Sequence, residues 1–320
     1  MKILVTGGCG YVGSALVPNL IKDGHEVTVV DAQWFGNNLE PNRLLKVEKL
    51  HLSEIKESNL IGIDCVVHLA NIANDPSVDL NPVLSWEVNT LHTTQLLELC
   101  KKVNIKKFIY ASSGSVYGVK DENNVTEDLS LVPISAYNKT KMVAERVCLS
   151  YEEHFNVYCI RPATVCGLSP RMRFDVVVNM FVLQAFTNNQ ITVLGGEQVR
   201  PNIHIKDMVR VYQHFLVEND IQSGCYNAGF ENLKVYEIAE KVAKIFGCEI
   251  VVKDSNDPRS YRQDSKKLLN TGFVPLSNVS NAIEEIRNAL KDRKIFDRPD
   301  AHTVEWMKEN NFDGMINSGA

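Results

Sequence analysis

Residues 2–31, KILVTGGCGYVGSALVPNLIKDGHEVTVVD, decide how the chain starts to fold. The apolar run at 2–6 stops at a glycine cluster, and Val12, Leu16, Leu20 and Ile21 then recur at helical spacing as far as Asp23-Gly24. Residues 26–31, EVTVVD, are a second buried strand. Strand, tight turn, helix and strand make one βαβ unit, whose two strands run parallel.

The alternation continues outward from this unit. The pattern predicts a strand ending near His51, a strand at 64–69 (DCVVHL), a helix over about 83–103, a strand at 107–111 (KFIYA), a helix over about 135–154 and a strand at 157–161 (VYCIR). Strands apolar on both faces that take turns with helices indicate an α/β fold, a Rossmann-type doubly wound parallel sheet. After Arg161-Pro162 the texture changes. Pro170, Pro201, Pro258 and Pro275 punctuate shorter elements, and helices at 206–217 and 233–246 flank the strand-like CYNAG. Residues 1–168 are therefore expected to form a dinucleotide-binding domain, to which the chain returns at about 200–229. Residues 169–320 mainly form a smaller C-terminal substrate-binding lobe over the carboxyl ends of the strands, where ligands of open α/β sheets bind.

Composition bounds the partners. The chain has 320 residues, 44% hydrophobic and 23% charged, with a formal net charge of -5. An overall negative surface argues against nucleic acid and against an anionic bilayer as partners. Eight cysteines include no C-x-x-C pair and no closely spaced His and Cys, so reduced thiols and no metal are expected. The first strand starts at Lys2, and no apolar run approaches the ~18 residues of a membrane span, so a cytoplasmic location is expected.

In TGGCGYVG, Gly7, Gly10 and Gly13 lie between the first strand and the first helix, where glycine permits a tight turn and lets backbone N–H groups approach a pyrophosphate at the helix N-terminus. Asp31 ends the second strand 18 residues after Gly13, where a carboxylate bonds the adenosine ribose hydroxyls and repels a 2′-phosphate. Ala32 and Gln33 supply no arginine, so NAD is preferred over NADP. Tyr137 and Lys141 share one face of a helix, ~40° apart around its axis. An ammonium beside a phenol favours the phenolate and is expected to lower its pKa toward the range of a general base. Ser113, at the end of FIYASS, lies 24 residues before Tyr137.

With these residues the chain resembles the extended short-chain dehydrogenase/reductases of the nucleotide-sugar epimerase and dehydratase group. The resemblance runs through TGGCGYVG, HLAN at 68–71, SSGSVYG at 112–118, YNKTK at 137–141, RPATVCG at 161–167, IHIKD at 203–207 and YNAG at 226–229. It implies a catalytic trio, with Tyr137 as acid/base, Lys141 tuning it and binding the nicotinamide ribose, and Ser113 bonding the reacting oxygen. It also implies that Gly7, Gly10, Tyr11, Val12, Gly13, Asp31, Leu69, Ala70, Asn89, Tyr137, Lys141 and Pro162 bind NAD. Ser113, Thr164, Arg173, Asn179, Arg200 and Arg259 would bind a nucleotide-activated sugar, arginine suiting a diphosphate through its planar, permanently charged fork. The helices over 83–103 and 135–154 resemble the pair that forms a homodimer in this group.

The departures are informative. Dehydrating members typically follow the serine or threonine with an Asp-Glu pair, and decarboxylating members usually carry a glutamate in this stretch. Here Gly114 and Ser115 stand there, which resembles the 4-epimerases. Leu50-His51-Leu52 replaces a Gly-Asp-Ile segment whose Asp contacts adenine, and Thr164 and Cys166 replace an Asn and a Tyr. The expected function is NAD-dependent epimerisation through a 4-keto sugar. SPRMRFDVVVN at 169–179 is also similar to bacterial enzymes, linked to surface-polysaccharide synthesis, that oxidise nucleotide-activated sugars or heptoses at carbon 4. Net redox turnover, a threonine-type hydroxy-acid dehydrogenase and a nonenzymatic NAD-binding sensor remain as alternatives.

Overall fold

The computed structural model describes residues 1–255 and 260–310. In chain order the strands are β1 (Lys2–Thr6), β2 (Glu26–Asp31), β3 (Leu45–Lys49), β4 (Cys65–His68), β5 (Lys107–Ala111), β6 (Asn156–Pro162), β7 (Thr164–Cys166), β8 (Gln190–Leu194), β9 (Val199–His204), β10 (Gly224–Ala228), β11 (Glu231–Lys234) and β12 (Glu249–Lys253). The helices are α1 (Tyr11–Lys22), α2 (Asp75–Val78), α3 (Pro82–Trp86), α4 (His92–Lys102), α5 (Ala136–Leu149), α6 (Val177–Asn188), α7 (Ile205–Val217), α8 (Val235–Phe246), α9 (Lys266–Leu269), α10 (Val279–Lys291) and α11 (Thr303–Glu309).

Seven strands form the main sheet in the order β3-β2-β1-β4-β5-β6-β10, and every neighbouring pair is parallel. Period-two alternation of side chains makes each strand serve two layers. Ile3, Val5, Val67 and Ile109 pack beneath Leu16 and Leu20 of α1 and Met208, Tyr212 and Phe215 of α7. Leu4, Val66, Phe108 and Tyr110 pack on the other face, against Leu96 and Leu97 of α4 and Ala144 and Cys148 of α5. From β1 the chain runs outward through β2 to β3 and then returns to β4 on the opposite side of β1. The crevice between the ends of β1 and β4 is the switch point where a doubly wound sheet accepts a ligand. His68 closes that seam from within: its Nδ1 pairs with Thr6 Oγ1 at 2.6 Å and its Nε2 with Thr93 Oγ1 at 2.8 Å, and burial pushes its pKa down to about 3.

The second lobe has its own apolar core, with Phe181, Val182, Ile191, Val193, Ile238, Val242, Ile283 and Ile286 gathered from α6, β8, α8 and α10. A small sheet, β11-β9-β7, and the parallel pair β8-β12 complete it. Among the described residues no helix is long and apolar enough to cross a membrane, and all eight cysteines are unpaired.

Two helices differ from the pattern-based expectation. The run over 83–103 divides into α3, a π-helical turn at Glu87–Leu91, and α4. The wider turn rotates Asn89 inward, where its amide satisfies both the N–H and the carbonyl of Ile72 and donates to Thr140 Oγ1. Helix α5 ends at Leu149, short of 154, because Tyr151 and Phe155 turn back and stack on each other, with Phe155 against Phe108.

Candidate active site

One large cavity, of about 1050 Å³, opens over the ends of β1, β4 and β5 and extends between the sheet and the second lobe. At its floor Gly7 adopts φ +72°, and a Cβ there would lie 2.6 Å from the backbone nitrogen of Ala70, so only glycine lets the turn meet the end of β4. Gly13 is equally constrained, because a Cβ would lie 2.4 Å from the Gly7 carbonyl oxygen. Helix α1 starts here, so its first N–H groups, which have no intrahelical acceptor, belong to this turn. Asp31 ends β2 beside it: one carboxylate oxygen accepts from Cys9 N at 2.9 Å and the other from Gln33 N at 2.7 Å. Burial raises the Asp31 pKa against the pull of those two N–H groups and of Arg171. Gly7, Gly10, Tyr11, Val12, Gly13, Asp31, Leu69, Ala70 and Pro162 all line the cavity. A close-approach glycine turn at a helix N-terminus with a carboxylate at the next strand end fits a dinucleotide without a 2′-phosphate.

At the other end, Ser113, Tyr137 and Lys141 line the same cavity. Ser135 caps α5, accepting from Asn138 N at 3.1 Å, and this sets Tyr137 in the first turn with Lys141 one turn on. Ser113 and the Asn74 backbone, beside the Tyr137 hydroxyl, favour its ionised form. Burial outweighs them and pushes the phenol up to about 12. The expected lowering by Lys141 is thus not realised: its ammonium donates to the Ala111 carbonyl at 2.6 Å and sits 5.0 Å from the Tyr110 ring centre. Burial in turn draws the Lys141 pKa down to about 7. Ser113 Oγ also pairs with Ser115 Oγ at 2.7 Å. A Cβ on Gly114 would meet Pro162 O at 3.1 Å and Gln263 Nε2 and the Tyr261 hydroxyl at 3.2 Å, leaving little space for a longer side chain.

The remaining candidates fall into three groups. Thr164, Arg173 and Arg200 line the cavity. The Arg173 guanidinium is held by Asp175 through Nε at 2.8 Å and Nη2 at 2.9 Å; although burial opposes its charge, this carboxylate keeps its pKa above the ordinary value. Asn89 and Asn179 are fully buried and do not line it. Asn179 is a brace: it accepts from Gly167 N at 3.0 Å and donates to the Tyr11 hydroxyl at 3.0 Å and to Arg173 O at 2.8 Å, tying α1 to the 167–173 segment. Arg259 lies outside the described residues.

Three site residues carry weaker sequence signals. Asn74, at φ +80°, brings its backbone beside the Tyr137 hydroxyl while its side chain caps α2 through Ser77 N; Asn-Asp-Pro ahead of a short helix is the available clue. Arg171 is 4% exposed, lines the cavity beside Asp31 and stacks 4.1 Å from the Phe35 ring centre. Burial and Arg173 lower its pKa to about 10. Glu145 continues the Tyr137–Lys141 face by another turn and forms a buried pair with Arg161, Nη2 to Oε1 at 2.6 Å, while accepting from Ser112 Oγ at 2.7 Å.

Comparison with known proteins agrees with this geometry. The family model described as "NAD dependent epimerase/dehydratase family" matches residues 3–229. UDP-glucuronic acid decarboxylase 1 of Danio rerio is 30% identical over 299 residues, 89% of this chain and 71% of that protein. UDP-glucose 4-epimerase of Lactobacillus helveticus is 26% identical over 302 residues, 83% of this chain and 89% of that one. The structure of UDP-glucuronic acid 4-epimerase from Bacillus cereus, in complex with UDP-glucuronic acid and NAD, matches with a TM-score of 0.82 at 28% identity, covering 92% of this chain and 100% of that one. The chain therefore belongs to the NAD-dependent epimerase/dehydratase family and is an NAD-dependent enzyme that modifies nucleotide-activated sugars.

Proposed function

We propose that the protein epimerises a nucleotide-activated sugar by oxidising its carbon 4 and reducing the resulting 4-ketone on the other face. The observation that carries this reading is the composition of the wall around Ser113. The hydroxyl cluster of Ser113, Ser115 and Tyr137 can manage the proton of a carbinol, whereas the crowded Gly114 and the short Ser115 provide no acid and base for expelling water or carbon dioxide. Asp75, whose charge acts on the phenol, accepts a hydrogen bond from Ser135, and Asp175, in the same cavity wall, is held by Arg173.

Tyr137 takes the proton of the 4-hydroxyl and later returns it. Ser113 donates a hydrogen bond to the oxygen as it becomes a carbonyl, and Lys141 would hold the nicotinamide ribose. NAD supplies the hydride acceptor and, in its oxidised form, a positive ring that favours the phenolate. Gly7, Gly10, Tyr11, Val12, Gly13, Asp31, Leu69, Ala70 and Pro162 bind the cofactor in this scheme, with Asn89 positioning the segment after β4. Thr164, Arg173 and Arg200 face the sugar nucleotide, and Asn179 serves it indirectly, through Tyr11 and the 167–173 segment. The enzyme works in the cytosol, consistent with its unpaired cysteines, and as a homodimer.

The second reading, net oxidation to a 4-keto sugar, is favoured by SPRMRFD, which resembles carbon-4 oxidising enzymes. The deciding assay incubates the protein with UDP-, GDP-, CDP- and dTDP-sugars and follows stereochemistry by NMR and NADH by absorbance. An epimer without accumulating NADH is expected; a keto sugar with stoichiometric NADH establishes the dehydrogenase instead. Tyr137→Phe should lower turnover by ~10²–10⁴-fold with NAD still bound, and unchanged turnover removes Tyr137 from its role.

A further inference from the structure

Helix α11 lies across the cofactor cavity, beyond the family-matched residues 3–229. Its Thr303, Val304, Met307 and Lys308 line the same cavity as the glycine turn and Asp31. The helix is fixed at both ends, and both anchors are parts of the cavity wall. At its root, Phe174 N donates to Ala301 O at 2.9 Å, and Arg171 Nη2 donates to Asp300 O at 3.2 Å and Thr303 Oγ1 at 3.1 Å. At its far end, Trp306 Nε1 donates to Trp34 O at 2.8 Å, and Met307 packs in one cluster with Ile72, Val78 and Leu84. Trp34 and Phe35 follow Asp31 in the loop after β2, and Ile72 precedes the Asn74 turn that touches Tyr137. The helix thus bridges the loop at the adenosine end and the loop at the reacting end.

A helix of seven residues has little stability of its own and stays in place through its tertiary contacts. It can therefore open locally at far lower cost than unfolding the sheet beneath it. A dinucleotide lying between the glycine turn and α11 would meet the helix on that side.

We propose that α11 is a clasp that retains NAD through successive turnovers, with Trp306 as its latch to the Trp34 loop. This rests on the epimerase reading and deepens it, because an enzyme that returns the hydride to the same sugar gains from keeping its cofactor. Trp306 does not line the cavity, so its effect is on retention and not on the chemistry.

The test loads full-length protein with NAD, adds excess 1,N6-etheno-NAD and follows exchange by fluorescence. Wild-type exchange is expected to be slower than turnover. Trp306→Ala is expected to exchange NAD at least about tenfold faster, the equivalent of one lost hydrogen bond and its packing. Its turnover per bound NAD and the melting of its cofactor-free form should stay near wild type. Trp306→Phe, which keeps most of the packing and loses only the donor, should fall between the two and serves if the alanine variant does not fold. Wild-type exchange as fast as turnover, or variants with unchanged exchange, overturns the clasp. Product stereochemistry read on the same samples separates the two ideas: an epimer formed with fast exchange removes only the clasp, and slow exchange with a non-epimeric product removes only the reaction.

Discussion

The Lys141 ammonium is enclosed beneath Tyr110 and bonded to the Ala111 carbonyl, and burial draws its pKa from 10.5 to about 7. In the unfolded chain it returns to the ordinary lysine value, so between those pH limits the unfolded state binds more protons than the folded one. Stability from this group therefore rises with pH across that window and is lowest below it. Lys141→Met, with similar bulk and no charge, should raise the melting temperature of the cofactor-free protein by a few degrees near neutral pH. The gap should narrow as pH climbs toward 10, although activity is lost throughout; calorimetry at several pH values checks this, and a gap that widens with pH contradicts it. Tyr137 and Lys141 were legible because a spacing of four places two side chains on one helix face whatever surrounds them. The direction of their pKa shifts was not, since it depends on how deeply residues distant in sequence, such as Tyr110, bury them.

At the scale of elements, helix α5, which carries Tyr137 and Lys141, is held to β6 by the Glu145–Arg161 pair, with Ser112 and Tyr117 as further hydrogen-bond partners of its two members. Both side chains are almost completely buried. Glu145→Ala leaves the guanidinium without its counter-charge and should cost about 3–5 kcal/mol in denaturant unfolding. Turnover should fall as well, since Ser112 adjoins Ser113; a loss under about 1 kcal/mol shows that Arg161 finds another partner. The βαβ opening and the alternation through β6 were readable because apolar periodicity reflects burial directly. The π turn was not, because a helix with one extra residue has nearly the same periodicity, and it is the demand of Ile72 for hydrogen-bond partners that turns Asn89 inward. Asn179 likewise reads as a ligand-binding amide by resemblance, whereas packing makes it a brace between Tyr11, Gly167 and Arg173.

For the molecule as a whole, Val83, Trp86 and Leu91 remain exposed along the helical run that packs beside α5. We expect this face to be covered in a homodimer. Sedimentation at micromolar concentration should find twice the chain mass, and Leu91→Glu should shift it toward monomer; a wild-type monomer rules the dimer out. The sequence by itself determined the parallel sheet, the glycine turn with its acidic partner and the Ser113–Tyr137–Lys141 set, because each follows from spacing or from the backbone freedom of single residues. Only the tertiary structure decided that α11 lines the cavity, that the Asn74 backbone comes beside the phenol and that Arg171 stands beside Asp31. Those contacts join segments up to hundreds of residues apart, and no local periodicity records which distant surfaces the packing of two lobes will bring together.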